Sequence, residues 1–371
     1  MRLKVAGPPG PVPNMSTSSQ SRWFTSGTFL RGASTLAVLL TLASPAAAQG
    51  AGGYRVVQKI PVGGEGGWDY TLVEGDRLYV SHATRLVVID LVGDTVIGEV
   101  PNTSGIHGVA VARDLGRGFT SNGRDTTVTI FDLKTLATLG TAKVTGANPD
   151  AIQYDAPTRR VFTFNGRGEN ATAIDAATGK VLATIPLGGK PEFAQSDGKG
   201  RLYVNIETDT GQVVVIDTKA MKEVSRYWLP GCVEPSGLAL DHAHTRLFSV
   251  CGNSKMAVSD PVAGMVVALV PIGPGVDAAA YDAETKLVFA SNGGDGTLTV
   301  VRQESANHYT VLGNAPTQRG SRTMALDPRT HRIFLSSAEY GAAPAPAQPG
   351  GRPGRPPMIP GSFAVLVMER R

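Results

Sequence analysis

The sequence predicts an all-β fold, a seven-bladed β-propeller with four antiparallel strands per blade, and three observations carry that expectation. A basic residue followed by two apolar ones returns along the chain: Arg77-Leu78-Tyr79, Arg160-Val161-Phe162, Arg201-Leu202-Tyr203, Arg246-Leu247-Phe248, Lys286-Leu287-Val288 and Arg332-Ile333-Phe334, with Arg117-Gly118-Phe119 a degenerate copy. The copies lie 40 to 46 residues apart, the length of a supersecondary unit made only of strand and turn. A second apolar element, such as Val213-Val214-Val215-Ile216-Asp217, follows each copy. The last unit lacks a fourth strand, whereas the segment 54–64 has no unit of its own and resembles 180–189 nearly position for position. The N-terminal strand is therefore expected to complete the last blade, closing the ring and leaving no open blade interface.

Within a unit the reading is specific. In the third, 151–154 is strand a, 161–164 strand b, 171–174 strand c and 181–185 strand d, with Asp-rich turns between a and b and between c and d. Runs of β-branched and aromatic residues broken by Asp, Gly and Pro are the signal for short strands and turns. Strand a–b hairpins fall near 69–80, 107–120, 150–164, 192–204, 236–250, 277–290 and 322–336. Pro61, Pro101, Pro186, Pro230 and Pro271 close the segments read as strand d. Proline cannot donate to a ladder and belongs at an edge, which places d outermost.

Residues 1–48 read as a secretory signal. Arg22 and Arg31 precede the apolar stretch 36–43, and Ala46-Ala47-Ala48 offers a small-residue cleavage site; Met15 is a second candidate start. The apolar stretch is too short to span a bilayer. Arg2, Lys4, Arg22 and Arg31 supply four of the 35 basic residues, and the segment holds none of the 31 acids, so residues 49–371 carry 31 of each. The expected state is a periplasmic, monomeric, single-domain propeller over 49–371 with a proline-rich loop at 341–361. Nucleic-acid binding normally requires a basic field, so that balance argues against it as the main role. Cys232 and Cys251 flank one hairpin, and export permits oxidation. A local disulfide is the favoured reading and two separate buried thiols the alternative.

By these residues the chain resembles the YVTN-repeat (YncE-like) β-propeller proteins of bacterial envelopes. Arg-Leu-Tyr-Val at 77–80 and 201–204, Val-Val-Val-Ile-Asp at 213–217 and Asp-Ala-Ala-Thr-Gly-Lys-Val at 175–181 carry the likeness, which extends over about 54–371. The resemblance implies a periplasmic or surface propeller and assigns no reaction. Trp68-Asp69 occurs once, at the start of a strand a, and is no WD40 signature.

Strand order places the d–a and b–c loops on one face, and there the polar residues vary from unit to unit. At the heads of strand a stand Asp69, His107, Asp150, Glu192, Ser236, Asp277 and Arg322; near the ends of strand b stand His82, Asn122, Asn165, Asn205, Asn253, Asn292 and Glu339, with Arg124 and Arg167 close behind. Sevenfold geometry aims these at one axial funnel, the expected ligand site; for single Asn residues before Gly, a turn is the plainer reading. The opposite face carries short turns, among them His242-Ala243-His244, which reads as a solvated turn rather than a metal site.

Three functions follow. The first is binding of a small molecule or envelope protein partner on the funnel face, without catalysis. The alternative is a metal-assisted lactonase or lyase, with Asp69, His107, Asp150, Glu192 and Asp277 as candidate ligands. Their oxygens suit Ca²⁺ or Mg²⁺, whereas His107 with His82 suits a transition metal. Single-stranded nucleic acid, met by Arg124, Arg167, Arg322 and Tyr340, is the third. Neither adjacent cysteines nor tryptophan-docking repeats point to a quinone-cofactor dehydrogenase.

Overall fold

A computed structural model describes residues 51–344, 354 and 356–371; the predicted signal segment and much of the proline-rich loop lie outside them. Seven four-stranded antiparallel sheets follow one another along the chain. Their innermost strands are Trp68–Glu74, Ile106–Ala112, Pro149–Asp155, Lys190–Ser196, Pro235–Asp241, Val276–Asp282 and Met324–Asp327, numbered here as blades 1 to 7. In blades 1 to 6 sequence order is spatial order from axis to rim. In blade 7 the rim strand is Tyr54–Pro61, which pairs with Ala364–Arg370 from Tyr54↔Arg370 to Pro61↔Ala364. The ring is latched as the sequence predicts. Tyr54 is fully buried, its ring against Phe289 at 5.0 Å and its hydroxyl donating to the His331 carbonyl at 3.2 Å.

The apolar side chains of each strand meet those of the next blade. Seven hydrophobic clusters result among the described residues, one at each blade boundary. Stability is thus shared between neighbours, as in other repeat architectures.

The recurring arginine has a physical role. Arg77, Arg117, Arg160, Arg246 and Arg332 each donate to a carbonyl in the outer turn of the following blade, at Leu133, Ala176, Thr218, Ala306 and Leu91 respectively. Such charge-assisted bonds clasp one blade to the next. Blade 4 departs from the rule, since Arg201 turns to Asp217 of its own blade. In blade 6 the motif is one residue out of the predicted register: Asp282 faces Leu287, whereas Asp155, Asp241 and Asp327 face Arg160, Arg246 and Arg332. Lys286 instead takes the turn position, with φ 56°, beside Arg159, Thr245 and His331 in the other blades. Arg117-Gly118-Phe119 is degenerate because a side chain at Gly118 would run into the Phe131 ring, which fills that place from the neighbouring strand.

Cys232 and Cys251 form a disulfide, as favoured. Among the described residues no helix is long and apolar enough to cross a membrane.

Candidate functional site

The inner-ring side chains owe their aim to a backbone irregularity. In blades 1 to 6 the innermost strand shifts register at its head, between Trp68/Thr71, Ile106/Val109, Pro149/Ile152, Pro191/Ala194, Pro235/Leu238 and Val276/Ala278. Asp69, His107, Asp150, Glu192, Ser236 and Asp277 sit in those bulges. A bulge leaves an extra residue out of the ladder and re-aims its side chain. It also frees carbonyls, which the second strand of the preceding blade takes up. Ser81 donates to the His107 carbonyl at 2.6 Å, and Asn205 to that of Ser236 at 2.9 Å. Ser121 does the same for Asp150, and Ser291 holds the Arg322 carbonyl just ahead of the blade 7 inner strand, which has no bulge.

Around the axis, opposite charges interleave. His107 Nδ1 lies 2.6 Å from Asp69 Oδ2 and 3.6 Å from Asp150 Oδ1. Burial opposes the imidazolium, but the Asp69 hydrogen bond and the Asp150 charge outweigh it and hold His107 at about 9. Arg322 Nε donates to Asp277 Oδ2 at 2.6 Å. Asp277 is pushed up to about 6 by its burial in the ring, with Arg322 pulling against that. Lys190 bridges Glu192, at 2.5 Å, and Glu207. Glu192 and Asp150 are both held well above the ordinary carboxylate range, by burial first and then by neighbouring acids. The phenol of Tyr70, which faces this same acidic ring, is held firmly protonated by burial.

The ring opens into a cavity of about 580 Å³ lined by Trp68, Asp69, His107, Arg124, Asn148, Arg167, Arg322 and a rim of glycines. A second hollow of about 330 Å³ shares Gly67, Trp68 and Arg322 with it and reaches Tyr340. These volumes are in the range of small-molecule sites. Tyr70 of blade 1 and Phe193 of blade 4 meet at 5.1 Å and line a void of only about 20 Å³ deeper along the axis, so the funnel has a floor. Trp68 forms part of the wall, stacked on Phe363 at 5.1 Å. Gly123 is required by the site: a Cβ there would lie 2.5 Å from His107 Nε2.

Of the residues expected in the funnel, Asp69, His107, Arg124, Arg167 and Arg322 line the cavity. Asp150, Glu192 and Asp277 stand in the charged ring beneath it. The others are elsewhere. Asn122, Asn165 and Asn292 are fully buried on their strands, each with its amide donating to side chains of the third strand of its own blade. Their side chains are not funnel groups; each carbonyl accepts a backbone bond from the turn that follows, but none of the three has the left-handed backbone of a turn Asn. Asn205 is spent on blade 5 carbonyls. His82 is buried against Phe363 at 4.1 Å, its acidity set at about 4 by burial, and does not join His107. Glu339 pairs with Lys59 on the outermost strand at 2.7 Å. The position equivalent to Asn122 in blade 5 belongs to Cys251, which faces Pro235, and not to Asn253.

The candidate metal set contracts likewise. Among the described residues, Asp69, His107 and Asp150 offer ligand atoms within 4.8 Å of one another. Glu192 and Asp277 are committed to Lys190 and Arg322. On the opposite face His244 Nδ1 bonds Asp241 at 2.7 Å inside its turn, as a turn residue should.

Sequence reading missed Trp68, Tyr70, Phe193 and Gly123. Trp68 and Tyr70 flank Asp69, and strict strand alternation assigns them to the face opposite it; the bulge brings Trp68 and Asp69 to one cavity.

No protein-family model matches the chain, and no curated protein matches it. Solved structures do. A chain from "Kuenenia stuttgartiensis Hydrazine Synthase" superposes with TM-score 0.63 at 16% identity, covering 75% of this chain and 94% of that one. "Crystal structure of RRP9 WD40 repeats" gives 0.66 at 11%, covering 85% and 97%. "Crystal Structure of Mitotic Checkpoint Complex" gives 0.67 at 14%, covering 85% and 96%. At these identities the likeness is one of fold: this chain is a seven-bladed β-propeller.

Proposed function

We propose that this chain is an exported, periplasmic binding propeller whose funnel face takes up a small molecule, or the projecting segment of an envelope protein, without chemistry. The observation that carries the reading is the floored cavity of about 580 Å³ whose charged lining comes from four different blades. Rigid closure of the ring fixes those groups before a ligand arrives, which lowers the ordering cost of binding. The envelope placement rests on the 1–48 segment and on the disulfide. Filling the cavity tests the reading. A Cβ at Gly67 would meet nothing within 4 Å and its φ is not left-handed, so the backbone accepts a side chain there and Gly67→Trp adds bulk to the cavity lining. Ligands from a metabolite panel that raise the unfolding midpoint of the unaltered chain are expected to leave Gly67→Trp unmoved. Equal shifts in both would reject the funnel as the binding site.

The Asp69, His107 and Asp150 cluster favours a second reading, a metal-assisted lactonase or lyase. These three residues fit a divalent transition metal better than Ca²⁺, given one imidazole and two carboxylates. A metal would have to displace the proton that His107 shares with Asp69. Calorimetric titration with Zn²⁺, Cu²⁺ and Ca²⁺, and turnover of a lactone panel, test it. Heat and turnover abolished by Asp69→Ala and His107→Ala would favour the enzyme; neither would leave binding alone.

A further inference from the structure

The chemistry of the cavity wall names a ligand class, on the premise that the funnel binds. Five charged side chains line it: Asp69, His107, Arg124, Arg167 and Arg322. Asp69 is engaged by His107, and Arg322 by Asp277. Arg124 and Arg167 take part in none of the ion pairs of the described residues. No acid is hidden elsewhere, because residues 1–50, 345–353 and 355 contain neither Asp nor Glu. The two arginines stand at the same place in successive repeats, each second after the buried Asn that ends its strand (Asn122, Asn165). Both are exposed, and glycines at 66, 67, 105 and 123 leave the wall around them bare. Two guanidiniums without intramolecular acids, over a mouth whose only acid is already paired, make the opening electropositive. Trp68 supplies a flat apolar wall beside them.

We infer that the ligand is a small dianion, its carboxylate or phosphate groups gripped by Arg124 and Arg167 and its apolar part laid against Trp68. Guanidinium forks suit such groups because two parallel N–H bonds match two oxygens. The floor formed by Tyr70 and Phe193 and the cavity volume limit the ligand to a compact molecule, whereas a nucleic-acid strand would need a track that continues across the face.

Titration of the full chain with three molecules of one skeleton tests this: isophthalate, isophthalamide and m-xylylenediamine. Inorganic phosphate, succinate and citrate extend the anion arm, and a short single-stranded oligonucleotide is the polymer arm. The expected result is binding of isophthalate at least tenfold tighter than isophthalamide, with no binding of the diamine. Arg124→Ala/Arg167→Ala should weaken it at least tenfold more than Lys180→Ala/Lys199→Ala, which removes the same charge from the turn face. Equal affinity for the amide, with loss in Gly67→Trp, would overturn the anion assignment and leave funnel binding standing. No response to any probe would overturn both. Tighter, steeply salt-dependent binding of the oligonucleotide through the same arginines would replace the small dianion by a polymer.

Discussion

His107 and Asp69, 38 residues apart in the chain and on different blades, meet at 2.6 Å at the mouth of the axial cavity. Each sits in a bulge at the head of an innermost strand, so the pair reports directly on whether those bulges form.

The His107 imidazole is expected to titrate near pH 9, against an ordinary 6.5. A raised histidine contributes stability that is complete below pH 6.5 and lost as pH climbs through 9. The difference is worth roughly 3 kcal/mol at most. The raised carboxyls of Asp150 and Glu192 act in the same direction, since the native state holds their protons more tightly than the unfolded chain does. Urea midpoints should therefore fall from pH 5.5 to pH 9.5, and Asp69→Asn should flatten that slope. An NMR titration, with His107→Gln to assign the signal, reads the site itself; a midpoint near 6.5 would remove the ion pair.

Arg332 closes the ring chemically as Tyr54–Pro61 closes it by strand pairing. Its Nη2 reaches Asp94 of blade 1 at 2.7 Å, and its guanidinium is largely buried. Arg332→Ala leaves that carboxylate unpaired and should cost about 2–4 kcal/mol. Arg201→Ala, whose partner Asp217 lies in its own blade, should cost less than about 1 kcal/mol. Chemical denaturation of both variants compares the two roles.

Gly118→Ala places a methyl group on the Phe131 ring, which is itself fully buried. The overpacking should cost about 1–3 kcal/mol. Combining it with Phe131→Leu should recover part of the loss, and a double-mutant cycle measures how much. Additive losses would mean that the ring does not occupy the Gly118 position.

The Cys232–Cys251 disulfide closes a loop of 19 residues at the head of blade 5. Replacing both by Ser should cost about 2–4 kcal/mol, seen as a lower urea midpoint that dithiothreitol no longer shifts. The bond stands where blades 2 and 3 use the Asn122 and Asn165 amides to tie the second strand to its surroundings. It is structural by position.

Much of this molecule was legible in its residues. Alternating apolar runs and Asp-capped turns set the strands, because a pleated strand shows the same face every second residue. The likeness of 54–64 to 180–189 identified the latch, and the prolines at 61, 186 and 271 do end outermost strands. The arginine of the repeat was visible as a pattern, although its purpose was not, since its acceptors lie in the next blade. In blade 6 even the pattern misled, because Lys286 has the charge of the motif and the backbone of the turn.

The sequence alone determined the ring, its strand order and its closure, which depend on local periodicity repeated along the chain. Tertiary structure decided which polar groups share a cavity. Asn122 and His107 both stand at strand ends near the axis, yet one is buried among threonines and the other faces the funnel. The difference is a bulge at the head of the inner strand, present in blades 1 to 6. It rotates the side chain out of the alternation on which sequence reading depends, and the carbonyl it frees is held by a residue from the blade before.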